Sequence, residues 1–391
     1  MMGPCPLCAS SLPQVFLERR GVPVHQNVPC ASAEEARHFA RGDLLLAFCG
    51  RCGFVFNAAF DPDRLRYSAA YENRQSCSPY FKRYLSELAE SLVAKYGLSN
   101  KLLIEVGCGK GEFLRLLCKE GRNQGIGFDP SYAGPDTAEG GAVRFLPARY
   151  DSQQTQYTPD FVCARHVIEH VQSPLDMLRA VRQAMGNRTD SYIFFETPAL
   201  SWILDKVTFW DFFYEHCSYF TRESLTWAFA QAGFQVLQAP SAFDEQYIGI
   251  EAKPAATNRT AEPALPRGVA DLWSKIKSFL ARLKERMEAC EATIDFFDKG
   301  GGCAIWGAAA KGTTLVNTID PERRRIRFLI DINPAKQGRF VPVTGHQIVS
   351  PEYLKEGNAG IAGIVNMNPN YLEENQALLA QMSLQIPIVQ L

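Results

Sequence analysis

The stretch KLLIEVGCGKGEFLRLL, residues 101–117, contains the pattern that decides the fold. Apolar residues from Leu102 to Val106, interrupted by Glu105, lead into the turn GCGKG at 107–111 and then into a helical pattern. Glycine lets the backbone turn sharply and lets a ligand approach more closely than a Cβ atom would permit. The order strand, glycine turn and helix therefore predicts an α/β fold with a ligand at the turn.

An acid at the end of the next predicted strand supports this interpretation. Asp129 ends the stretch GIGFDP, about twenty residues after the turn, where a carboxylate would bind both hydroxyls of a ribose. Two other phosphate-binding motifs do not fit. Lys110 is followed by Gly111 rather than by Ser or Thr, and the glycine spacing differs from G-x-G-x-x-G.

The glycine turn and the second acid together resemble motif I of the class I methyltransferases, which bind S-adenosylmethionine. The resemblance implies a Rossmann-like sheet with S-adenosylmethionine at the turn. It also implies that the cofactor is contacted by residues of the turn and of the strand ends, namely Glu105, Gly107, Cys108, Gly109, Gly111 and Asp129.

Two later stretches continue the alternation of apolar strands and helical patterns, which is typical of a parallel sheet covered on both faces. DFVCARHVIEHV at 160–171 is a predicted fourth strand that runs into a helix, and SYIFFETPAL at 191–200 is a fifth. His166 to His170 spell H-x-x-E-H, but a zinc protease would need a further ligand. We interpret His166 as part of the cofactor rim, and His170 as either a substrate contact or a structural histidine.

Two C-x-x-C knuckles, separated by 40 residues, stand near the amino terminus. Their four thiolates predict a closed, structural zinc site, because two-residue gaps let each knuckle offer both sulfurs from one turn. Four unrelated buried thiols are the alternative. The predicted ligands are Cys5, Cys8, Cys49 and Cys52, and the residues between the knuckles that could replace one of them are His25, Cys30 and His38.

The segment WDFFYEHCSYFT, residues 210–221, places Glu215 and His216 side by side in an aromatic run. It follows the predicted fifth strand closely, and ligands of open parallel sheets lie at the carboxyl ends of the strands. The segment is therefore predicted to form a wall or lid over the methyl donor. A plain aromatic core segment is the alternative.

This segment resembles the Tyr-x-Glu-His segment of the sugar C-methyltransferases, enzymes that methylate nucleotide-linked ketosugars. In that family a zinc-binding domain, a methyltransferase domain and a nucleotide-fold domain follow one another. The resemblance covers essentially the whole chain and predicts domains at 1–65, 66–255 and 256–391, the last boundary lying in the Pro- and Ala-rich stretch 251–268.

Two carboxyl-terminal stretches resemble the signature of the family's third domain. GGGCAIWGAAAKGTTLVN at 300–317 has a glycine turn before a helix, and IRFLIDINPAKQGRFVPVTG at 326–345 has a strand that ends in an acid. A glycine turn at a helix start can hold a phosphate. The predicted substrate contacts are Lys311, Asp331 and Lys336, and a scaffold that only completes the cleft is the alternative.

The chemistry of C-methylation gives the aromatic segment a role. A carbon next to a ketone must lose a proton before it can attack a methyl sulfonium, and histidine has a pKa suited to that step. We interpret His216 as the base, Glu215 as the residue that orients or charges the site, and Tyr219 and Tyr71 as oxyanion donors. Tyr214 is a predicted substrate contact.

One residue differs from the pattern of the sugar C-methyltransferases, so two alternatives to a ketosugar acceptor are kept. The family's tyrosine two places before the glutamate is Phe213 here. The first alternative is an O- or N-methyltransferase of another small molecule. The second is a zinc-binding protein with a non-catalytic methyltransferase fold, which the intact motif I residues argue against.

The composition bears on three further properties: nucleic-acid binding, membrane insertion and cellular location. The chain has 391 residues, a net charge of -1 and 12 cysteines. A balanced charge does not favour a nucleic-acid partner, and we predict no membrane span because no apolar run is long enough. Without a recognisable signal peptide, reduced thiols in the cytoplasm are expected. The sequence does not specify the oligomeric state.

Overall fold

The computed structural model describes residues 3–11, 13–65, 67–68, 70–151, 154, 156–186, 188–256, 264–355 and 360–391. These residues form three β-sheets, whose apolar faces share a large part of one core. Part of the predicted linker at 251–268, namely residues 257–263, lies outside the described residues. Among the described residues, no helix is both long and apolar enough to cross a membrane.

The amino-terminal segment forms an antiparallel sheet. Its β1 and β2 pair from Pro13 opposite Cys49 to Pro23 opposite Arg41, with two irregularities in register. Ser32 caps the short helix between them, because its side chain accepts a hydrogen bond from the backbone N–H of Glu35. The elements are β1 (Pro13–Pro23), α1 (Ala33–Arg37), β2 (Arg41–Cys49) and β3 (Val55–Asn57).

The central part contains the strand–turn–helix units that the sequence predicts. Its elements are α2 (Pro79–Tyr96), β4 (Leu102–Val106), α3 (Glu112–Gly121), β5 (Gln124–Phe128), β6 (Thr137–Ala138), β7 (Val143–Leu146), β8 (Phe161–Arg165), α4 (Pro174–Ala184), β9 (Tyr192–Pro198), α5 (Leu200–Lys206), β10 (Ser218–Tyr219), α6 (Arg222–Gln231), β11 (Phe234–Gln238), β12 (Ser241–Ala242) and β13 (Tyr247–Pro254).

The central sheet has the order β11-β13-β9-β8-β4-β5-β7-β6, and β12 pairs with β13. The strands β7, β5, β4, β8 and β9 are parallel, whereas β13 is antiparallel to β9. Along the chain, β5 and β7 are added on one side of β4, and β8 and β9 are then added on its other side. Because the strand order reverses between β4 and β8, a crevice opens at their carboxyl ends. The predicted Rossmann-like sheet is confirmed.

The carboxyl-terminal part forms a parallel sheet of order β16-β15-β14-β17-β18. A long charged helix, α7, leads into this sheet. The elements are α7 (Val269–Lys299), β14 (Cys303–Trp306), α8 (Ala310–Ile319), β15 (Ile326–Ile330), β16 (Gln347–Val349), β17 (Gly363–Asn366), α9 (Leu372–Gln381) and β18 (Ile388–Gln390). Short 3₁₀ helices occur at Pro62–Arg64, Glu139–Gly141, Ile168–His170, Phe209–Asp211, Pro351–Lys355 and Pro369–Tyr371.

The three sheets are joined by segments that cross between them. β10 lies near the end of the aromatic segment 210–221. It belongs to the amino-terminal sheet, where it pairs with β3 and Ser218 lies opposite Phe56. Trp273 of α7 stacks on Phe48 of β2, with ring centroids 5.1 Å apart. A further bridge joins Cys30 to Phe340. All three parts of the chain therefore contribute to the cleft described next.

Candidate active site

The two cysteine knuckles meet in one cluster. The Sγ atoms of Cys5, Cys8, Cys49 and Cys52 all lie within 4.8 Å of one another, and two of the pairs are 3.7 and 3.5 Å apart. Each knuckle is closed by a backbone hydrogen bond to its first cysteine. Four sulfurs bound to one zinc at the usual distance would be about 3.8 Å apart. The residues therefore fit a closed structural zinc site, as the sequence predicts.

The three alternative zinc ligands do not join this cluster. His25 lies beside Glu215, His38 has its Nδ1 atom 3.0 Å from the carbonyl oxygen of Glu34, and Cys30 is fixed by backbone bonds to Phe340. The knuckles alone supply the ligand set, because they bring two thiols each to one point.

A cavity of about 660 Å³ lies at the carboxyl ends of β4, β5 and β8, which is within the usual size of a cofactor site. Gly107 and Gly109 line it, whereas Gly111 ends the turn outside the lining, and the three have φ angles of 68°, 54° and 77°. A Cβ atom on Gly111 would lie 2.3 Å from the ring of Phe145, and one on Gly107 would lie 2.3 Å from Val167. Only glycine fits these left-handed positions, so the backbone remains open to a ligand.

Asp129 closes the turn from the neighbouring strand. Its Oδ2 atom accepts a hydrogen bond of 2.9 Å from the backbone N–H of Gly109, and its Oδ1 atom accepts one of 2.7 Å from Ser131. The carboxylate lines the cavity, so it is held where a ribose would present its hydroxyls. This geometry fits S-adenosylmethionine.

Glu105 is buried beneath the turn. Its Oε2 atom accepts a hydrogen bond of 3.1 Å from the backbone N–H of Leu114, and burial raises the pKa of this carboxyl to about 8. Glu105 and Cys108 both line the cavity wall. Glu105 also fixes the first turn of α3, and therefore the shape of the glycine turn.

Replacing Asp129 with alanine is expected to weaken S-adenosylmethionine binding by about ten- to a hundredfold, because hydrogen bonds to a charged acceptor contribute about 1.5–3 kcal/mol. Calorimetric titration measures the affinity. Asp136→Ala is the matched control, since this carboxylate is exposed and does not line the cavity. Equal affinities in the two variants would contradict the assignment.

A buried charge network lies at the ends of β8 and β9. Arg165 donates two hydrogen bonds, of 2.9 and 2.6 Å, to Oε1 of Glu196, and Tyr84 donates to the same carboxylate. Burial alone would raise the pKa of Glu196, but the Arg165 charge and the His166 hydrogen bond lower it to about 2. The network fixes the strand ends that carry the cleft residues.

His166 stands between two carboxylates. Its Nδ1 atom is 3.3 Å from Oε1 of Glu169, and its Nε2 atom is 3.3 Å from Oε1 of Glu196. Burial lowers the pKa of this imidazole, but the two carboxylates outweigh burial and the net change is upward. The residue has a left-handed φ of 55°, and it is followed by a 3₁₀ turn rather than the expected α-helix.

A second cavity, of about 210 Å³, lies between the central and carboxyl-terminal sheets. It meets the first cavity at residues that line both, so a molecule in one cavity can reach a molecule in the other. The shared lining residues are Tyr71, Asn73, Arg74, Gln75, His166 and His170.

His216 faces the second cavity. Its ring lies 4.0 Å from the ring of Phe213 and 4.7 Å from that of His170. Burial, and then the charge of His170, lower the pKa of His216 well below its usual value. Within the described part of the chain, neither of its nitrogens has a hydrogen-bond partner.

Glu215 points the other way, toward the amino-terminal sheet. Its Oε1 atom accepts a hydrogen bond of 2.5 Å from the backbone N–H of Gln26, and its Oε2 atom lies 3.4 Å from Nδ1 of His25. Burial opposes ionisation, but His25 keeps the pKa of Glu215 below its usual value. Glu215 lines neither cavity, so its side chain is separated from them by its neighbours.

The three predicted tyrosines have different positions. Tyr71 lines both cavities, and burial, followed by the charge of Glu215, raises its pKa, so its hydroxyl keeps its proton. The Tyr219 hydroxyl donates to the carbonyl oxygen of Phe213 and accepts from its N–H, both at 3.1 Å. The Tyr214 hydroxyl accepts a bond of 2.9 Å from the N–H of Asp61. Tyr214 and Tyr219 therefore hold the segment in place and do not reach either cavity.

The three predicted carboxyl-terminal contacts all line the second cavity. Lys311 extends from α8 to within 2.5 Å of Oδ1 of Asp211. Asp331 accepts hydrogen bonds from the N–H groups of Ala308 and Asn333, at 3.0 and 2.9 Å. The Nζ atom of Lys336 lies 3.8 Å from Asp331.

Several contacts around the cleft had no signal in the sequence. Asn333 donates a hydrogen bond of 3.0 Å to Oε1 of Glu72, and the N–H of Glu72 donates one of 2.8 Å to the carbonyl oxygen of Asn27. These bonds tie the three parts of the chain together around residues 71–78. The one sequence feature near these contacts was the run of polar residues that follows Tyr71, at residues 72–78.

Comparison with known proteins gives two family matches. Residues 79–239 match the family described as "Methyltransferase domain", and residues 269–380 match "C-methyltransferase C-terminal domain". The C-methyltransferase NovU of Streptomyces niveus is 26% identical over 326 residues, which cover 79% of this chain and 76% of NovU.

Two solved structures are similar to parts of the chain at low identity. The 1,6-didemethyltoxoflavin-N1-methyltransferase of Burkholderia thailandensis is 13% identical with a TM-score of 0.35, covering 45% of this chain and 80% of its own. The magnesium protoporphyrin IX methyltransferase of Synechocystis PCC 6803 is 17% identical with a TM-score of 0.35. The match covers 45% of this chain and 84% of that enzyme's chain.

Proposed function

We propose an acceptor and a base for this chain, which is a class I S-adenosylmethionine-dependent methyltransferase with a C-methyltransferase carboxyl-terminal domain. The acceptor is a ketosugar linked to a nucleotide. The enzyme methylates the carbon next to the ketone, by way of an enolate, and His216 removes the proton.

The position of His216 carries this proposal. Its imidazole lines the acceptor cavity, the smaller of the two, and its nitrogens have no partner in the described part of the chain. The two cavities meet beside it, at His166 and His170. A C–H group held against His216 is therefore close to the cofactor side, and alignment of carbon and methyl supplies much of the rate.

The reaction needs two groups of the protein. His216 takes the proton from the carbon, and the electron pair of the C–H bond passes into the enolate. The Tyr71 hydroxyl, which keeps its proton, donates a hydrogen bond to the enolate oxygen. Bound S-adenosylmethionine supplies an electrophilic methyl group, to which the enolate carbon forms the new C–C bond while the C–S bond breaks.

The carboxyl-terminal residues support a nucleotide-linked acceptor. Lys311, Lys336 and Arg74 bring three cationic side chains to the acceptor cavity, and cations bind the oxygens of a diphosphate well. Gly307, with a φ of 115°, forms the turn between β14 and α8. We propose that this end of the cavity holds the nucleotide, with Asp331 fixing the turn.

O- or N-methylation of another small molecule is the second candidate, since such acceptors need no base acting on a C–H. The match to a C-methyltransferase carboxyl-terminal domain and the similarity to NovU favour carbon as the methylated atom. The same matches favour an enzyme over a non-catalytic zinc-binding protein.

Hydrogen exchange tests the proposal directly. The enzyme is incubated in deuterated water with a panel of ketosugar nucleotides and no methyl donor, and deuterium next to the ketone is measured by NMR. We expect incorporation into at least one sugar. No incorporation across the panel, with S-adenosylmethionine binding intact, would favour the O- or N-methyltransferase.

Replacing His25 with alanine is expected to lower the free energy of unfolding by about 3 kcal/mol, because it removes the imidazole beside the buried Glu215 carboxylate and leaves the Gln26 N–H as the partner. Urea unfolding measures the loss. Adding Glu215→Gln is expected to restore part of it, since an amide carries no charge. His38→Ala, at an exposed histidine of the same segment, should change stability by less than about 0.5 kcal/mol. A loss in His25→Ala as small as that would contradict the pairing.

A further inference from the structure

Glu169, His170 and His216 form a triad of metal-binding side chains in the wall of the acceptor cavity. One possible ligand atom from each residue lies within 4.8 Å of the others. We propose that this triad binds a divalent transition-metal ion, at a site separate from the four cysteines, and that the bound ion inhibits proton removal. The inhibitory effect rests on the proposed role of His216 as base, whereas the binding does not.

Neighbouring groups orient two members of the triad as metal ligands are usually oriented. The Nδ1 atom of His170 is 2.9 Å from the Tyr67 hydroxyl, which leaves Nε2 free. The Oε2 atom of Glu169 accepts a hydrogen bond of 3.0 Å from Thr197, which leaves Oε1. Metal-binding imidazoles and carboxylates characteristically have their other polar atom held in this way.

The remaining ligand atoms make no aligned hydrogen bond within the described part of the chain. Glu169 is 1% exposed, and its Oε1 atom has no aligned hydrogen bond in the described part of the chain, although Nδ1 of His166 lies 3.3 Å away. The His216 nitrogens have no hydrogen-bond partner there either. A buried carboxylate oxygen that has no aligned hydrogen bond and lies beside imidazoles is stabilised by a cation.

The ligand types indicate which ions would bind. Two imidazoles and one carboxylate suit Zn²⁺, Co²⁺, Mn²⁺ and Fe²⁺, and three protein ligands leave coordination positions open toward the cavity. The cysteine cluster, in contrast, offers four sulfurs and no open position. An ion added to the zinc-loaded protein would therefore go to the triad.

The inhibition follows from the electronic structure of imidazole. A neutral imidazole has one nitrogen with a free lone pair. That lone pair either accepts the proton of the acceptor or binds the metal, so a metal-bound His216 cannot act as the base. Metal binding and enolate formation therefore exclude each other at this residue.

Cobalt titration tests the binding. Full-length protein with its structural zinc is titrated with Co²⁺, and the bound metal is followed by visible absorption and equilibrium dialysis. We expect one additional ion per chain. Tyr67→Phe should weaken its binding about tenfold, because loss of an outer hydrogen bond typically has that effect. His216→Ala and Glu169→Gln should each weaken it more than Tyr67→Phe does, since each changes a direct ligand rather than an outer hydrogen bond.

His38→Ala is the matched control, because this exposed histidine lies outside the triad, and it should bind Co²⁺ unchanged. Absence of an additional ion would overturn the proposal, as would equal Co²⁺ affinity in wild type, His216→Ala and Tyr67→Phe. The Tyr67→Phe variant keeps the test decisive if a ligand variant fails to fold.

Deuterium incorporation with and without saturating Co²⁺ tests the inhibition separately. Incorporation that is lost on adding Co²⁺ in wild type and in His38→Ala alike, and that needs about tenfold more Co²⁺ for its loss in Tyr67→Phe, supports it. Incorporation that persists with Co²⁺ bound overturns the inhibitory role. Absence of incorporation before any Co²⁺ is added would count against His216 as base, whereas the absorption titration would still report on the metal site.

Discussion

Replacing His216 with alanine is expected to reduce deuterium incorporation beside the acceptor ketone by about 10²–10⁴-fold, the usual contribution of a general base. The imidazole faces the acceptor cavity without a hydrogen-bond partner in the described residues. Its removal therefore takes away the proton acceptor and breaks no hydrogen bond of the fold. The measurement is the initial rate of incorporation, without methyl donor.

Cofactor binding separates this chemical effect from a structural one. His216 does not line the cofactor cavity, so His216→Ala should bind S-adenosylmethionine with an affinity within about twofold of wild type, a difference of less than 1 kcal/mol. A loss of incorporation below about tenfold would mean that another group takes the proton. Equal losses of incorporation and of cofactor affinity would indicate a structural role for His216.

Replacing Cys49, one of the four predicted zinc ligands, with serine is expected to unfold the amino-terminal sheet and to abolish methyl transfer. Structural zinc contributes on the order of 10 kcal/mol to small domains, which exceeds what such a sheet can replace by packing. The effect reaches the active site because β10, which directly follows His216 and Cys217, pairs with β3. Without that sheet, the aromatic segment loses the strand with which β10 pairs.

The measurements for Cys49→Ser are metal content and hydrogen exchange at residues 210–221. We expect loss of the zinc and loss of amide protection in this segment. Cys30→Ser is the matched control, since Cys30 lies between the knuckles but outside the cluster, and it should keep its metal. Retention of zinc by Cys49→Ser, or unchanged protection at 210–221, would contradict this coupling.

The sheets could be predicted because their signals are local. Leu102–Val106, the turn at 107–111 and the helix from Glu112 are neighbours in sequence, and left-handed glycines can be inferred from backbone sterics alone. The same holds for the cysteine knuckles, whose spacing fixes their geometry. These predictions were confirmed, together with the class of enzyme.

The site could be predicted only in part. His216, His166 and Lys311 line cavities as expected, because residues after strands of a parallel sheet gather at one edge. Tyr214 and Tyr219 do not, since their hydroxyls bind Asp61 and Phe213. Side-chain direction in an irregular segment depends on which neighbours pack against it, and the sequence does not contain that information.

The sequence by itself determined the alternation of strands and helices, the glycine turn and the four sulfurs, because each depends on residues within a few positions or on a fixed spacing. Only the tertiary structure decided that His25 meets Glu215, 190 positions away, and that Glu169 and His170 meet His216. These contacts form where three sheets pack together. The free energy of that packing is shared over the whole core rather than encoded in any short motif.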